Sequence, residues 1–223
     1  MSVLIFLVII IIDQVVKYQV KTSMMLNTQI KVAGEWFFIY FTENPGMAFG
    51  LTPGGEGGKI WLSSFRIIAV LGIGYYLWLQ IKNRAAKGFI VCLSMIMAGA
   101  FGNIIDSIFY GKIFTDSYYR VAEFMPQQGY AGWLEGKVVD MFYFPIIRTH
   151  YPSWFPVWGG EEFIFFRPIF NIADSFISIG VMVILIFQNR FFPKDVKQQH
   201  VPSDETVPLA DSDTQPFVAE EKE

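Results

Sequence analysis

The chain has 223 residues, 53% hydrophobic and only 17% charged, with a mean hydropathy of +0.39; soluble domains carry about 25% charged residues, which argues against an ordinary soluble globule. One Cys excludes an intramolecular disulfide framework, and two His exclude most His-rich metal sites. The net charge of -3 belongs to one end: residues 198–223 hold seven acidic side chains and one Lys, so the preceding 197 residues carry +3.

A bilayer core of about 30 Å takes about 20 mostly apolar residues per helix, and residues 3–20, 60–81, 88–109 and 169–188 meet that requirement. The first stretch lacks a basic leader and a small-residue cleavage site, and it ends in Asp13-Gln14-Val15-Val16-Lys17. It reads as a retained helix, not a cleaved secretory signal. Cations mark cytoplasmic loops: Lys82, Arg84 and Lys87 join the second and third stretches, and Arg190, Lys194 and Lys197 follow the fourth. Both termini are therefore expected in the cytoplasm, with residues 21–59 and 110–168 exported. The fold class expected is an all-α membrane core of four transmembrane helices with a small periplasmic β-cradle and an extended periplasmic insertion. Residues 1–197 form the membrane domain and residues 198–223 an acidic, disordered cytoplasmic tail.

In the first exported segment, residues 29–32 and 36–42 read as strands around the turn Ala33-Gly34. Glu43-Asn44-Pro45-Gly46-Met47-Ala48-Phe49-Gly50 and a Gly-rich run at 53–58, expected to be mobile, follow. The second exported segment crowds ten aromatic residues into 142–166, among them Tyr151, Trp154, Phe155 and Trp158. Rings at that density suit a headgroup interface, with a small periplasmic core as the alternative; Trp154, Phe155 and Trp158 are expected to dip into headgroups.

An ionised side chain at the centre of a spanning helix costs roughly 2.5–3.5 kcal/mol on insertion scales. Asp13, Lys17, Arg66, Asp106 and Asp174 all lie within the apolar stretches, and the expected topology puts them, with Asn103, in the outer leaflet. Asp13 and Lys17 stand four apart with the acid first, the favourable order for an ion pair; either a structural pair or direct chemistry accounts for them. Arg66 reads as a cation snorkelling to headgroups. Asn103 and Asp106 follow Ala98-Gly99-Ala100-Phe101-Gly102, a run small enough for close helix contact.

Asp140 closes Lys137-Val138-Val139-Asp140, and Asp174 lies in Phe170-Asn171-Ile172-Ala173-Asp174. Two such acids, if adjacent, share one proton, because like charges about 3 Å apart cannot both ionise at neutral pH; a proton pathway or a structural pair are the alternatives. No H-E-x-x-H, G-x-S-x-G or P-loop is present, no basic aromatic stripe points to nucleic acid, and Cys92 reads as a packing residue. A proton-coupled carrier or channel would use intramembrane carboxylates too, but spread over several depths and often in an inverted repeat. A purely structural subunit leaves Asn44-Pro45-Gly46 and Asn171-Ile172-Ala173-Asp174 unexplained.

Taken in chain order, these segments resemble the lipoprotein signal peptidase (signal peptidase II) family. Asp13-Gln14-Val15-Val16-Lys17 is similar to its D-Q-x-x-K, Asn44-Pro45-Gly46-Met47-Ala48-Phe49 to N-x-G-x-A-F, and Gly99-Ala100-Phe101-Gly102-Asn103-Ile104-Ile105-Asp106 to G-G-x-x-G-N-x-x-D. Val138-Val139-Asp140 is similar to V-x-D and Phe170-Asn171-Ile172-Ala173-Asp174 to F-N-x-A-D. The resemblance implies an aspartic peptidase of the bacterial inner membrane that cleaves diacylglyceryl-modified prolipoproteins before the lipidated Cys. It implies Asp140 and Asp174 as the catalytic dyad, Asn44, Gly46, Asn103, Asp106, Asn171 and Ala173 as shaping the site, and Asp13 and Lys17 as its support. No metal or organic cofactor is implied; the partners are prolipoproteins and membrane lipids, not nucleic acid, and the expected state is a monomer. Three departures stand out: Ser107 where the family usually has Arg, long insertions on either side of Asp140, and the acidic tail.

Overall fold

The computed structural model describes residues 2–45 and 58–192. The expectations for Gly46, for the Gly-rich run up to Gly57 and for the tail fall outside the described residues. Three long helices are predominantly apolar and without an internal proline: α1 Ser2–Lys21, α2 Gly58–Lys82 and α3 Lys87–Ile105. By length and composition, α1, α2 and the run Lys87–Ile113 are able to cross a membrane. Their outward faces stay apolar: Val3, Leu4 and Val15 of α1 and Trp61, Ile68 and Leu71 of α2 are all exposed.

α3 continues into a π-turn, Asp106–Tyr110, and a last turn α4, Gly111–Ile113. The extra residue in a π-turn re-aims side chains and is frequent at functional sites; here Asp106, Ser107 and Tyr110 all point inward and are buried. The remaining elements are β1 Gln29–Ala33, β2 Phe37–Asn44, β3 Val138–Tyr143, β4 Ile147–His150, β5 Glu162–Phe165, β6 Ile169–Phe170, α5 Ile172–Ile186 and the short α6 Gln188–Phe191.

α3 is the central helix, packed against α5, α1 and α2. Two glycines make this possible. A Cβ on Gly99 would lie 2.7 Å from Ile177 Cγ1 of α5, and one on Gly102 would lie 2.7 Å from Asp13 Oδ2 of α1. The small-residue run of α3 thus brings three helices to a common line.

The sheet has the order β1-β2-β3-β6, all antiparallel. It is wider than the hairpin expected from residues 29–42 alone, because β3 and β6 complete it. Asp140 lies on its third strand, opposite Thr42 of β2, while Phe142 pairs with Phe170 of β6. The chain then enters α5, so Asp174 sits just beyond the sheet that carries Asp140.

The fourth apolar helix departs from the expected 169–188. Ile169 and Phe170 find strand partners on β3, and Asn171, a strong N-cap type, starts the helix with a complete capping box to Asp174. α5 therefore has 15 residues, about 22 Å at 1.5 Å per residue, shorter than the other three.

The first insertion is woven into the core. Phe114 and Ala122 pack with Val20, Met24, Phe41, Tyr110, Val139 and Met141 in one buried cluster. The second insertion is the β4–β5 hairpin, with Thr149 opposite Phe163. Near its tip Phe155 stacks on both Tyr151 and Trp158, and Trp154 is 78% exposed.

Candidate active site

The site begins on one face of α1. Lys17 is fully buried, and burial of an ammonium in an apolar bundle requires charged partners. It has two, Asp13 at 2.9 Å and Asp106 at 2.8 Å, and gives its third proton to Asn103 Oδ1 at 2.8 Å. Gln14 adds a second tie, donating to Asp106 Oδ1 at 2.9 Å and to the Gly102 carbonyl at 3.2 Å, and accepting from the Tyr110 hydroxyl at 3.2 Å. The other Asp106 oxygen accepts the Val139 amide of β3 at 3.3 Å. Asp13 Oδ1 accepts the Ala173 amide at 2.9 Å, which ties α1 to the first turn of α5.

Above this base two asparagines hold two carboxylates. Asn103, its Oδ1 committed to Lys17, donates from Nδ2 to Asp174 Oδ1 at 2.8 Å. Asn171 is the hub. Its Nδ2 donates to Asp140 Oδ1 at 2.7 Å and to Asn103 Oδ1 at 3.1 Å, while its Oδ1 accepts the Asp174 amide at 2.9 Å and its own amide reaches Asp174 Oδ2 at 3.4 Å. Asn44, at the end of β2, also hydrogen-bonds the Asp140 side chain. Sequence positions 13, 17, 44, 103, 106, 140, 171, 173 and 174 are thereby gathered into one network. Among the described residues no buried side-chain nitrogen or oxygen is left without a hydrogen-bond partner.

The two carboxylates differ in surroundings. Asp140 is buried, with 4% of its surface exposed, and Asp174 is half-buried. Burial first, and the neighbouring Asp174 second, push the Asp140 carboxyl up to about 7, against the opposing pull of Lys17, Asn171 and Asn44. An acid raised toward neutral pH beside a second, more open acid is equipped for general acid–base work on a bound water.

The profile of Signal peptidase (SPase) II matches residues 5–190. The lipoprotein signal peptidase of Porphyromonas gingivalis is 51% identical over 185 residues, covering 82% of this chain and 80% of the relative. That of Amoebophilus asiaticus is 36% identical over 210 residues, covering 93% and 83%. A bacterial membrane enzyme solved by the in meso method superposes with a TM-score of 0.55 at 28% identity, covering 84% of this chain and 91% of the other. This chain belongs to the signal peptidase II family.

Signal peptidase II is an aspartic-type hydrolase, and the chain carries the family's membership across nearly the whole described length. In this chain Ser107, where the family usually has Arg, is buried and donates to the Asn103 carbonyl of its own helix at 3.0 Å. It makes no ion pair among the described residues. Arg66 of α2 is half-buried and within electrostatic reach of Asp174 and Asp140. Gln14 was missed as a site residue; its signal was a neutral polar group wedged between Asp13 and Lys17 in an apolar helix.

Proposed function

We propose that this chain removes signal peptides from prolipoproteins by aspartic catalysis at Asp140 and Asp174, cutting on the N-terminal side of a diacylglyceryl-modified Cys. The observation that carries the reading is the pair of carboxylates joined through Asn171 in a member of the signal peptidase II family. The pair holds one proton between its two members, and burial biases Asp140 to keep it.

A water bound between the two loses a proton to the ionised carboxylate as its oxygen attacks the scissile carbonyl carbon. The protonated carboxyl donates to the developing oxyanion. Collapse of the tetrahedral intermediate breaks the C–N bond, and a proton from the dyad goes to the departing amine of the lipidated Cys. No metal or organic cofactor takes part in these steps.

Asn44, Asn103 and Asn171 hold the two carboxylates, and the Ala173 amide ties the start of α5 to Asp13; Gly46 is assigned a site-shaping role from its place in the N-x-G-x-A-F motif alone. Asp13, Lys17 and Asp106 form the rigid base. We further assign α5 as a fourth span, both termini to the cytoplasm, and the dyad to the outer leaflet of the bacterial inner membrane, where a lipid-anchored substrate presents its cleavage bond. Residues 1–197 are the catalytic unit and act as a monomer among membrane lipids; residues 198–223 are an acidic tail, and deletion from His200 onward leaves cleavage intact.

The test is product analysis. Full-length enzyme in detergent, given a diacylglyceryl-modified prolipoprotein, yields by mass spectrometry a mature fragment beginning at the modified Cys, unaffected by a chelator. Cleavage elsewhere, equal cleavage of the unmodified precursor, or loss of activity with the chelator contradicts it.

A further inference from the structure

One turn past Lys17, a second buried ion cluster takes no part in the chemistry above. Lys21 is fully buried; it pairs with Glu43 of β2 and donates to Ser117 Oγ at 3.0 Å. Ser117, also fully buried, donates to Glu43 Oε1 at 3.0 Å, and Lys137 approaches Glu43 Oε2 at 3.3 Å. The Lys21 ammonium lies over the rings of Phe41, Phe114 and Tyr130 at 5.9, 5.4 and 5.0 Å, cation–π contacts that add to its pairing. The Lys137 amide donates to the Tyr130 hydroxyl at 2.7 Å. Ser117, Tyr130 and Lys137 all come from the insertion between α4 and β3.

Buried ion pairs are weak contributors to stability and are best attested as devices that fix register. Here there is a register to fix. The β2–β3 pairing shifts between Ile39 and Thr42, so the regular pairing at Phe38 and Ile39 does not dictate the alignment beyond the irregularity. Beyond it lie Thr42 opposite Asp140, Glu43 opposite Val139 and Asn44 opposite Val138. Lys137 directly precedes β3, so its bond to Glu43 pins the start of β3 against the end of β2.

We infer that Glu43 is a positioning residue for the peptidase reaction, and that residues 114–137 are a clasp whose Ser117 and Lys137, with Lys21, lock Glu43 so that Asn44 meets Asp140. This rests on the peptidase reading. Glu43 acts through Asn44 and touches no reacting atom. The groups facing Asp140 are Asp174 and Asn171 at the start of α5, Lys17 of α1, Arg66 of α2 and Asn44 of β2, with Asp106 held one residue away on Val139. Of these, only the contact from Asn44 lies on the strand that the clasp locks.

The experiment is a double-mutant cycle on the full chain in detergent, with a diacylglyceryl-modified prolipoprotein as probe. Glu43→Gln is expected to lower kcat roughly 10- to 100-fold, the scale of a misplacement near 1 Å, with KM within about twofold of wild type. The alkaline limb of its pH profile moves to higher pH, because a carboxylate that loses a hydrogen bond gives up its proton less readily. In an Asn44→Ala background the same change causes no further loss, since both act on one contact. Wild-type kcat and an unshifted pH profile in Glu43→Gln, or losses that multiply in the double variant, overturn the inference. If Glu43→Gln does not fold, Lys21→Met/Glu43→Gln, which leaves no unpaired buried charge at that pair, goes through the same cycle on the same criteria. Wild-type enzyme that cuts while Asp140→Asn does not keeps the peptidase reading intact whichever way the cycle falls; inert wild type overturns that reading instead.

Discussion

The amide of Asn171 donates to Asp140 across 2.7 Å while the carbonyl of the same side chain caps the helix that carries Asp174. One short side chain thus sets the spacing of two carboxylates from different elements. Asn171→Ala removes an N-cap, costing about 1 kcal/mol, and strips Asp140 of a charge-assisted bond, costing about 1.5–3 kcal/mol. The expected result is a lowered melting temperature in detergent together with a fall in cleavage rate of about 100-fold. A variant that melts earlier yet cleaves at the wild-type rate would refute the hub role.

The pH dependence follows from Asp140. Its carboxyl is raised to about 7, so the proposed dyad loses its shared proton near there. The cleavage rate is bell-shaped with an alkaline limb near pH 7. Stability has a defined sign as well. A group whose folded value lies above its unfolded value favours the fold fully below the unfolded value and loses that contribution as pH rises through the folded one. Asp140→Asn should therefore raise the melting temperature at pH 8 and leave it unchanged near pH 4; the reverse order would contradict the assignment.

Lys17 neutralises two acids that share its pocket. Lys17→Met leaves Asp13 and Asp106 buried without a cation, a loss of about 3–5 kcal/mol for a broken buried pair. Thermal unfolding in detergent measures it. A melting temperature equal to wild type would remove Lys17 from the framework.

The hairpin tip offers a separate test. Trp154 is exposed and Phe155 stacks on both Tyr151 and Trp158. If the tip dips into headgroups, quenchers attached at the headgroup level of a bilayer reduce tryptophan emission in the wild type and do so less in Trp154→Ser/Phe155→Ser/Trp158→Ser, whose cleavage in vesicles also slows. Equal quenching and equal activity would sink the idea.

Much of this arrangement is legible in the chain itself because its signals are local. The four-residue spacing of Asp13 and Lys17 announces an ion pair, and the pair forms at 2.9 Å. Gly99 and Gly102 announce a close helix contact, and a Cβ at either would collide with α5 or α1. What periodicity does not carry is the choice of distant partners. Ile169 and Phe170 are apolar enough to read as helix, and only β3 makes them a strand. Lys21 sits at a helix end, where a cation looks solvated, and only Glu43 and Ser117, 22 and 96 residues away, explain its burial. Arg66 looks like a lipid anchor until α2 is placed beside the two carboxylates.

The central claim is that Asp140 and Asp174 act as one pair. A gel-shift cleavage assay on a diacylglyceryl-modified prolipoprotein, with purified wild type, Asp140→Asn and Asp174→Asn in detergent, tests it most directly. The account predicts that wild type cuts and that both folded variants are inert. Near-full activity in either variant would contradict it and move the search to Asp106 or Asp13.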